Sequence, residues 1–191
     1  QVERALGMAR RLHSSGVVSP WKFDFYKESL KIVHLLREEG WAFPVGFDKL
    51  SEDIELIAAL ARAGAGADVL CHNDFYGPNL LVRDDDMWLI DWEYAAMGDY
   101  GCDFGNFVAQ SDYFDVQDAF SLMPLYFGRN PTEEEEFHLV ACTAIVGWYW
   151  YVWAMFKECK GAPAGEWLYV WYKAAKEFSA KALSMLGDRS F

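Results

Sequence analysis

The chain has 191 residues, is 53% apolar and 17% aromatic, and sets 17 basic against 29 acidic residues for a net charge of −12. A chain of this length suits one domain or one large lobe and buries roughly 70% of its unfolded surface. Its aromatic content excludes a disordered chain, and its acidity argues against nucleic acid, whose phosphates are met by Lys and Arg.

No polybasic cluster is present, which argues against a membrane-surface role. The four cysteines, Cys71, Cys102, Cys142 and Cys159, form no C-x-x-C pair. They read as buried free thiols and favour a reducing, cytoplasmic setting. Gln1 heads an amphipathic stretch with arginines, unlike a signal segment. The absence of an initiator Met fits a chain that begins inside a longer one. The most apolar run, Ala141–Phe156, is short for a bilayer span and rich in Trp and Tyr, so it reads as a buried helix.

Val2, Ala5, Leu6, Ala9 and Leu12 repeat at helical spacing, and Ser14-Ser15-Gly16 ends that helix. Ser19-Pro20 reads as a cap followed by a first-turn proline. The stripe Phe23, Tyr26, Leu30, Val33, Leu36 then runs to a stop at Gly40. Ser51, with Asp53 and Glu55 behind it, reads as the cap of a third helix reaching about Arg62. Beyond the Gly-Ala-Gly turn near residue 65 the texture changes. Val69–Cys71 is a short apolar run, and Leu80–Val82 and Met87–Ile90 flank a polar turn as a β-hairpin. Helices are predicted over about 101–110, 116–126, 132–158 and 166–186. Thr132 with Glu135 three residues on is a capping box for the longest of them. The predicted fold is mainly α (α+β), with one hairpin set between helices and no internal repeat.

The chemistry-bearing stretch is LCHNDFYGPNLLVRDDDMWLIDWEYAAMGDYGCDFGN, residues 70–106. His72, Asp74 and Asn79 give H-x-D-x-x-x-x-N, and Asp91 follows the hairpin. Asp74 offers a carboxylate able to accept a proton or orient a hydroxyl. Asn79 offers a neutral oxygen and Asp91 a charged one, and the hairpin brings the two close. Mg²⁺ favours few protein ligands and keeps phosphate oxygens, so this pair suits it. Base, amide and carboxylate in this order are the parts of kinase catalysis. Taken singly, Asp74 reads equally as a cap, Asn79 as a turn residue and His72 as a structural histidine. Asp84–Asp86 reads as a solvated turn.

The segment resembles the choline/ethanolamine kinase family, within the aminoglycoside-phosphotransferase group of protein-kinase-like enzymes. Cys71–Asp74 with Asn79 resembles its catalytic loop, and Ile90–Ala95 its metal-binding segment. Asn73, Glu93 and Tyr94 bring it nearer to choline than to aminoglycoside kinases. The resemblance implies a protein-kinase-like C-terminal lobe, with helices around the loop and hairpin, and ATP as co-substrate. It implies Asp74, with His72, as catalytic. It implies Asn79 and Asp91 as Mg²⁺ ligands, Glu93 near a second metal or its loop, and Asp103 as support for the loop backbone. Arg11-Leu12-His13 is similar to the group as well. The likeness is specific over 70–106 and extends by pattern over the helices from 136 to 180. The group's N-terminal lobe brings a phosphate-covering loop and a Lys on ATP. Residues 1–191 show no G-x-G-x-x-G and no Lys in an apolar strand before residue 70, so they read as one helical C-terminal lobe. By themselves they are expected to turn over little ATP.

Residues 145–156 read IVGWYWYVWAMF. An all-apolar helix is most simply a buried one. Trp150 and Trp153, three apart, share a face, and Tyr169 on the next helix is placed to meet them. Ring faces attract quaternary ammonium groups, and the resemblance implies these three rings as a cage for the cationic head group, with Trp148 competing. It also implies an acid near Gln110, where this chain has an amide, with Asp112 and Tyr113 close by. The reading is phosphoryl transfer from ATP to choline or a related amino alcohol. Its rivals are an aminoglycoside, homoserine or other small-alcohol kinase, and a lobe that binds a cation without transfer. Oligomeric state is left open.

Overall fold

The computed structural model describes residues 1–187. Seven α-helices and two small antiparallel β-pairs make up the described chain. The helices are α1 (Val2–His13), α2 (Phe25–Glu38), α3 (Phe47–Gly64), α4 (Tyr100–Ala109), α5 (Val116–Phe127), α6 (Glu133–Cys159) and α7 (Trp167–Gly187). The strands are β1 (Val69–Cys71), β2 (Leu80–Arg83), β3 (Asp86–Leu89) and β4 (Ala96–Gly98).

The centre is α6. Every residue from Phe137 to Val152 is buried, and α7, α4, α2 and α3 pack around it. The helix is long and apolar enough to cross a bilayer, so length does not exclude a span. Instead, 89% of its apolar window is buried inside the protein, as expected of a core helix. Its start is the expected capping box: Glu135 N–H donates to Thr132 Oγ1 at 3.3 Å, and Thr132 N–H to Glu135 Oε2 at 2.8 Å. At Gly147 a Cβ would stand 2.8 Å from the Ala175 backbone nitrogen. That missing methyl lets α7 lie close along α6.

Two helix starts differ from the sequence reading. Asp24, not Ser19, caps α2 by accepting from Lys27 N–H at 3.1 Å. Residues 21–23 are drawn off as an extended segment: Phe23 N–H donates to Met97 O, and Met97 N–H to Trp21 O. The third helix begins at Gly46, whose φ of 86° breaks the chain direction, and Ser51 sits one turn inside it. The hairpin forms in the expected place, with Leu80 opposite Leu89 and Arg83 opposite Asp86. β4 was not foreseen. It pairs with β1, Cys71 opposite Ala96 and Val69 opposite Gly98, and so clamps the root of the loop at residues 72–74.

Candidate active site

β1 delivers the chain into a tight loop, His72-Asn73-Asp74. Asn73 has φ of 62°, in the left-handed region that costs most side chains energy and Asn least. Asp103, fully buried on α4, holds this turn. Its carboxylate accepts from His72 N–H at 2.8 Å and Asn73 N–H at 2.7 Å. His13 Nε2 lies 2.9 Å from the same carboxylate, and His13 Nδ1 lies 2.7 Å from the Tyr126 hydroxyl. Three elements remote in sequence thus converge on one buried acid. Asn73 Nδ2 also donates to Tyr94 O, tying the loop to the segment after Asp91.

Asp74 is half-buried and faces a cleft of about 460 Å³. Its Oδ1 accepts from Gln110 Nε2 at 2.8 Å and its Oδ2 from Asn79 Nδ2 at 3.0 Å. Burial raises its carboxyl above the usual range, while these two donors pull the other way. Asn79 turns its amide N–H groups to Asp74, which leaves its amide oxygen without a donor among the described residues. Asp91 stands across the root of the hairpin, where Ile90 N–H donates to Asn79 O at 3.0 Å. Its backbone is also left-handed, φ 64°. Its carboxylate has no hydrogen-bond or ion-pair partner among the described residues. One neutral and one charged oxygen, both unengaged beside a cleft, fit a Mg²⁺ that keeps phosphate oxygens and waters. Glu93 lines the same cleft.

His72 does not. It is fully buried, its Nε2–H donates to Ile90 O at 2.9 Å, and its ring lies edge-on to Trp92. Grouping it with Asp74 as catalytic is corrected: it ties the loop to the hairpin's end, because a ring enclosed there cannot touch a substrate in the cleft.

The far wall of the cleft is aromatic. Trp150, Trp153, Trp167, Trp171 and Tyr94 line it. Trp150 stacks on Trp171 with centroids 5.6 Å apart and meets Trp153 edge-on at 5.5 Å, and Trp167 stacks on Trp171 at 5.4 Å. Burial raises the Tyr94 phenol, with Glu93 adding to it, so its hydroxyl stays a neutral donor. Tyr169, placed in this cage by the sequence reading, lies outside it and is 67% exposed. The helical turn of α7 that meets α6 presents Trp167 and Trp171 instead. Those two are four residues apart and share a face, a signal the sequence carried. Trp148 belongs to the core, where its Nε1–H donates to Ser29 Oγ. Lys157 stands in the cleft with Nζ 5.3 Å from the Trp153 ring centroid.

Gln110 joins the two walls. Its Nε2 also donates to Asn106 Oδ1 at 2.9 Å, and Trp150 Nε1–H donates to the same oxygen at 2.8 Å. A hydrogen-bonded line therefore runs from the ring of Trp150 through Asn106 and Gln110 to Asp74. Spacing alone did not reveal it, since Asn106 and Trp150 are on different helices.

Residues 2–127 match the family model described as Phosphotransferase enzyme family. The chain belongs to this family. A curated relative, Protein LicA of Haemophilus influenzae, is 25% identical over 170 residues, covering 82% of this chain and 48% of LicA. In fold, this chain is similar to a choline/ethanolamine kinase family protein from Mesorhizobium loti, with a TM-score of 0.77 at 24% identity over 97% of this chain and 62% of that one. It is also similar to the choline kinase LicA from Streptococcus pneumoniae, with a TM-score of 0.74 at 19% identity over 94% and 63% of the two chains. The chain thus spans about half the length of the curated relative and under two thirds of these structures. The mainly helical, kinase-like fold expected from the sequence is the fold these neighbours share.

Proposed function

We propose that these residues are the acceptor-side, C-terminal lobe of an ATP-dependent kinase whose acceptor is the hydroxyl of choline or a related amino alcohol. One observation carries the reading: a half-buried carboxylate and a cage of indole rings face each other across one cleft, with unengaged oxygens of Asn79 and Asp91 beside the carboxylate. Asp74, held by Gln110 and Asn79, orients the hydroxyl and takes its proton. The rings hold the cationic end, each worth roughly 0.5–2 kcal/mol once water is excluded. Asn79 and Asp91 would hold Mg²⁺, which when bound neutralises charge on the phosphates. The loop and Lys that grip ATP are outside these 191 residues in this reading. A reducing, cytosolic setting belongs to it too, supported by four free thiols.

One observation favours a second reading, a different small alcohol. The Lys157 ammonium already sits over Trp153, and Gln110 stands where an acid would attract a cation. A polycationic aminoglycoside is disfavoured by the same lysine. The test is ATP-dependent phosphorylation by the complete gene product with choline, ethanolamine, homoserine and an aminoglycoside as rival acceptors. Preference for choline or ethanolamine supports the first reading. Turnover confined to homoserine supports the second, and turnover confined to the aminoglycoside, or cation binding without transfer to any acceptor, overturns both.

A further inference from the structure

A second cavity, about 270 Å³, shares no lining residue with the cleft. It lies among the start of α2, α3, β4, α4 and α6, and its wall includes Met97, Asp99, Cys102 and Cys142. Asp99 and Cys102 are three apart at the start of α4. His138 and Cys142 are four apart on α6, so each pair shares a helix face. His138 Nε2 lies 2.7 Å from Asp99 Oδ1 and 3.7 Å from Cys142 Sγ. Ligand atoms of Asp99, His138 and Cys142 all fall within 4.8 Å of one another. Cys102 lines the same cavity as Cys142 and lies outside that group of three. This convergence depends on Gly101, where a Cβ would stand 2.8 Å from Cys142 Sγ.

We propose that Asp99, His138 and Cys142, with Cys102 turning in from the same cavity wall as the fourth ligand, form a site for a thiophilic divalent metal of the Zn²⁺ type, joining α4 to α6 behind the catalytic loop. Two facing helices that each offer a pair of ligands one turn apart are a recurrent way to build a metal centre. Two sulfurs, one imidazole and one carboxylate are a Zn²⁺ set, and sulfur selects against Mg²⁺. Tetrahedral Zn²⁺ holds sulfur and nitrogen about 3.6 Å apart, close to the 3.7 Å already present. The His138–Asp99 pair opens from 2.7 Å to about 3.4 Å to admit the ion. The cavity supplies the entry path. Before binding, the neighbouring Cys102 and then burial hold the Cys142 thiol well above its usual range, and Cys142 pulls the Cys102 thiol down while burial raises it on balance. On binding, each S–H bond breaks, two protons leave to solvent and two metal–sulfur bonds form. His138 Nε2 gives up its hydrogen to become a ligand, and Nδ1, now without a partner, takes one up. Cys102 directly precedes Asp103, so the metal would anchor the turn of α4 that holds the catalytic loop.

The test needs no kinase activity. The reduced, metal-free full chain is titrated with Co²⁺ and the near-ultraviolet thiolate-to-cobalt absorption is followed. The oxygen ligands Asn79 and Asp91 give no such band. One equivalent of Co²⁺ is expected to saturate it, and one of Zn²⁺ to bleach it and raise the melting temperature, reversibly with a chelator. Cys142→Ser and Cys102→Ser, close in size and checked for native circular dichroism, are each expected to weaken binding more than about tenfold, the least lost when even an outer partner of a metal ligand is removed. No band at one equivalent overturns the proposal. So does a band that survives both variants, or one lost only in Cys71→Ser, which would move the metal to the neighbouring His13, Cys71 and Asp103 group.

Discussion

The two walls of the cleft are held in place by different physics. The loop wall rests on hydrogen bonds to buried atoms: Asp103 alone receives two backbone N–H groups and the ring of His13. Asn73 is held in left-handed backbone by such bonding, and Asp91 across the hairpin root is left-handed too. The cage wall rests on ring packing between α6 and α7, close because Gly147 has no side chain. Hydrogen bonds fix an atom to within tenths of an ångström, which a proton-accepting carboxylate needs. Stacked rings fix a surface, which suffices to hold a cation. Substitutions on the two walls should therefore fail in different ways.

The largest effect is expected at Asp74. In the complete enzyme Asp74→Asn keeps the shape but not the base, and turnover should fall by ~10²–10⁴-fold with the Michaelis constant for the alcohol little changed. Steady-state kinetics that show near-normal turnover would remove Asp74 from the chemistry.

Next is Asp103→Ala, which strands two backbone donors in the interior. Each unmet group costs about 1–3 kcal/mol, so urea unfolding of this chain should show a loss of several kcal/mol. His13→Ala should cost less, since it removes a partner and leaves the backbone bonds in place. Equal losses would mean that Asp103 is held for the histidine and not for the loop.

The cage should answer in selectivity. Trp153→Phe, half-exposed in the cleft, is expected to lower the choline-to-ethanolamine ratio of catalytic efficiencies by roughly three- to tenfold, within what one ring contributes. Trp148→Phe is expected to lower stability and leave that ratio alone, because Trp148 is core. Tyr169→Ala should change neither by much, with stability within about 0.5 kcal/mol. A ratio that moves with Trp148 or Tyr169 and not with Trp153 would relocate the head-group site.

The smallest effect sharpens the link between the walls. Asp74 must be ionised to act, so activity falls as pH drops through its raised pKa. Gln110 donates to the ionised form and lowers that value. Gln110→Met should therefore raise it further and carry the acid limb of the kcat/KM profile to higher pH. It also leaves Asn106 Oδ1 to Trp150 alone and breaks the line to Asp74. An acid limb that stays put would make Gln110 a spacer.

By itself the sequence determined the helices with strong apolar periodicity, the capping box at Thr132, the hairpin and the order Asp74, Asn79, Asp91. Those are local: spacing along the chain sets the face, the cap or the turn. It mistook Ser19 and Ser51 for caps because a capping side chain works only if the preceding chain is free to bend there. Residues 21–23 were instead bound to β4, and Gly46 had already turned the chain. Tertiary structure alone decided the rest. It withdrew His72 into the interior, gave Tyr169 to the surface and built the cage from Trp167 and Trp171. It also brought His13, Asp103 and Tyr126 to one point, and joined Trp150 to Asp74 through Asn106 and Gln110. Apart from Gln110 to Asn106, four residues apart, those hydrogen bonds join residues tens of positions apart. Which face of α7 meets α6, and which helix end meets the loop, is fixed by how the whole core packs, and no window of sequence contains that.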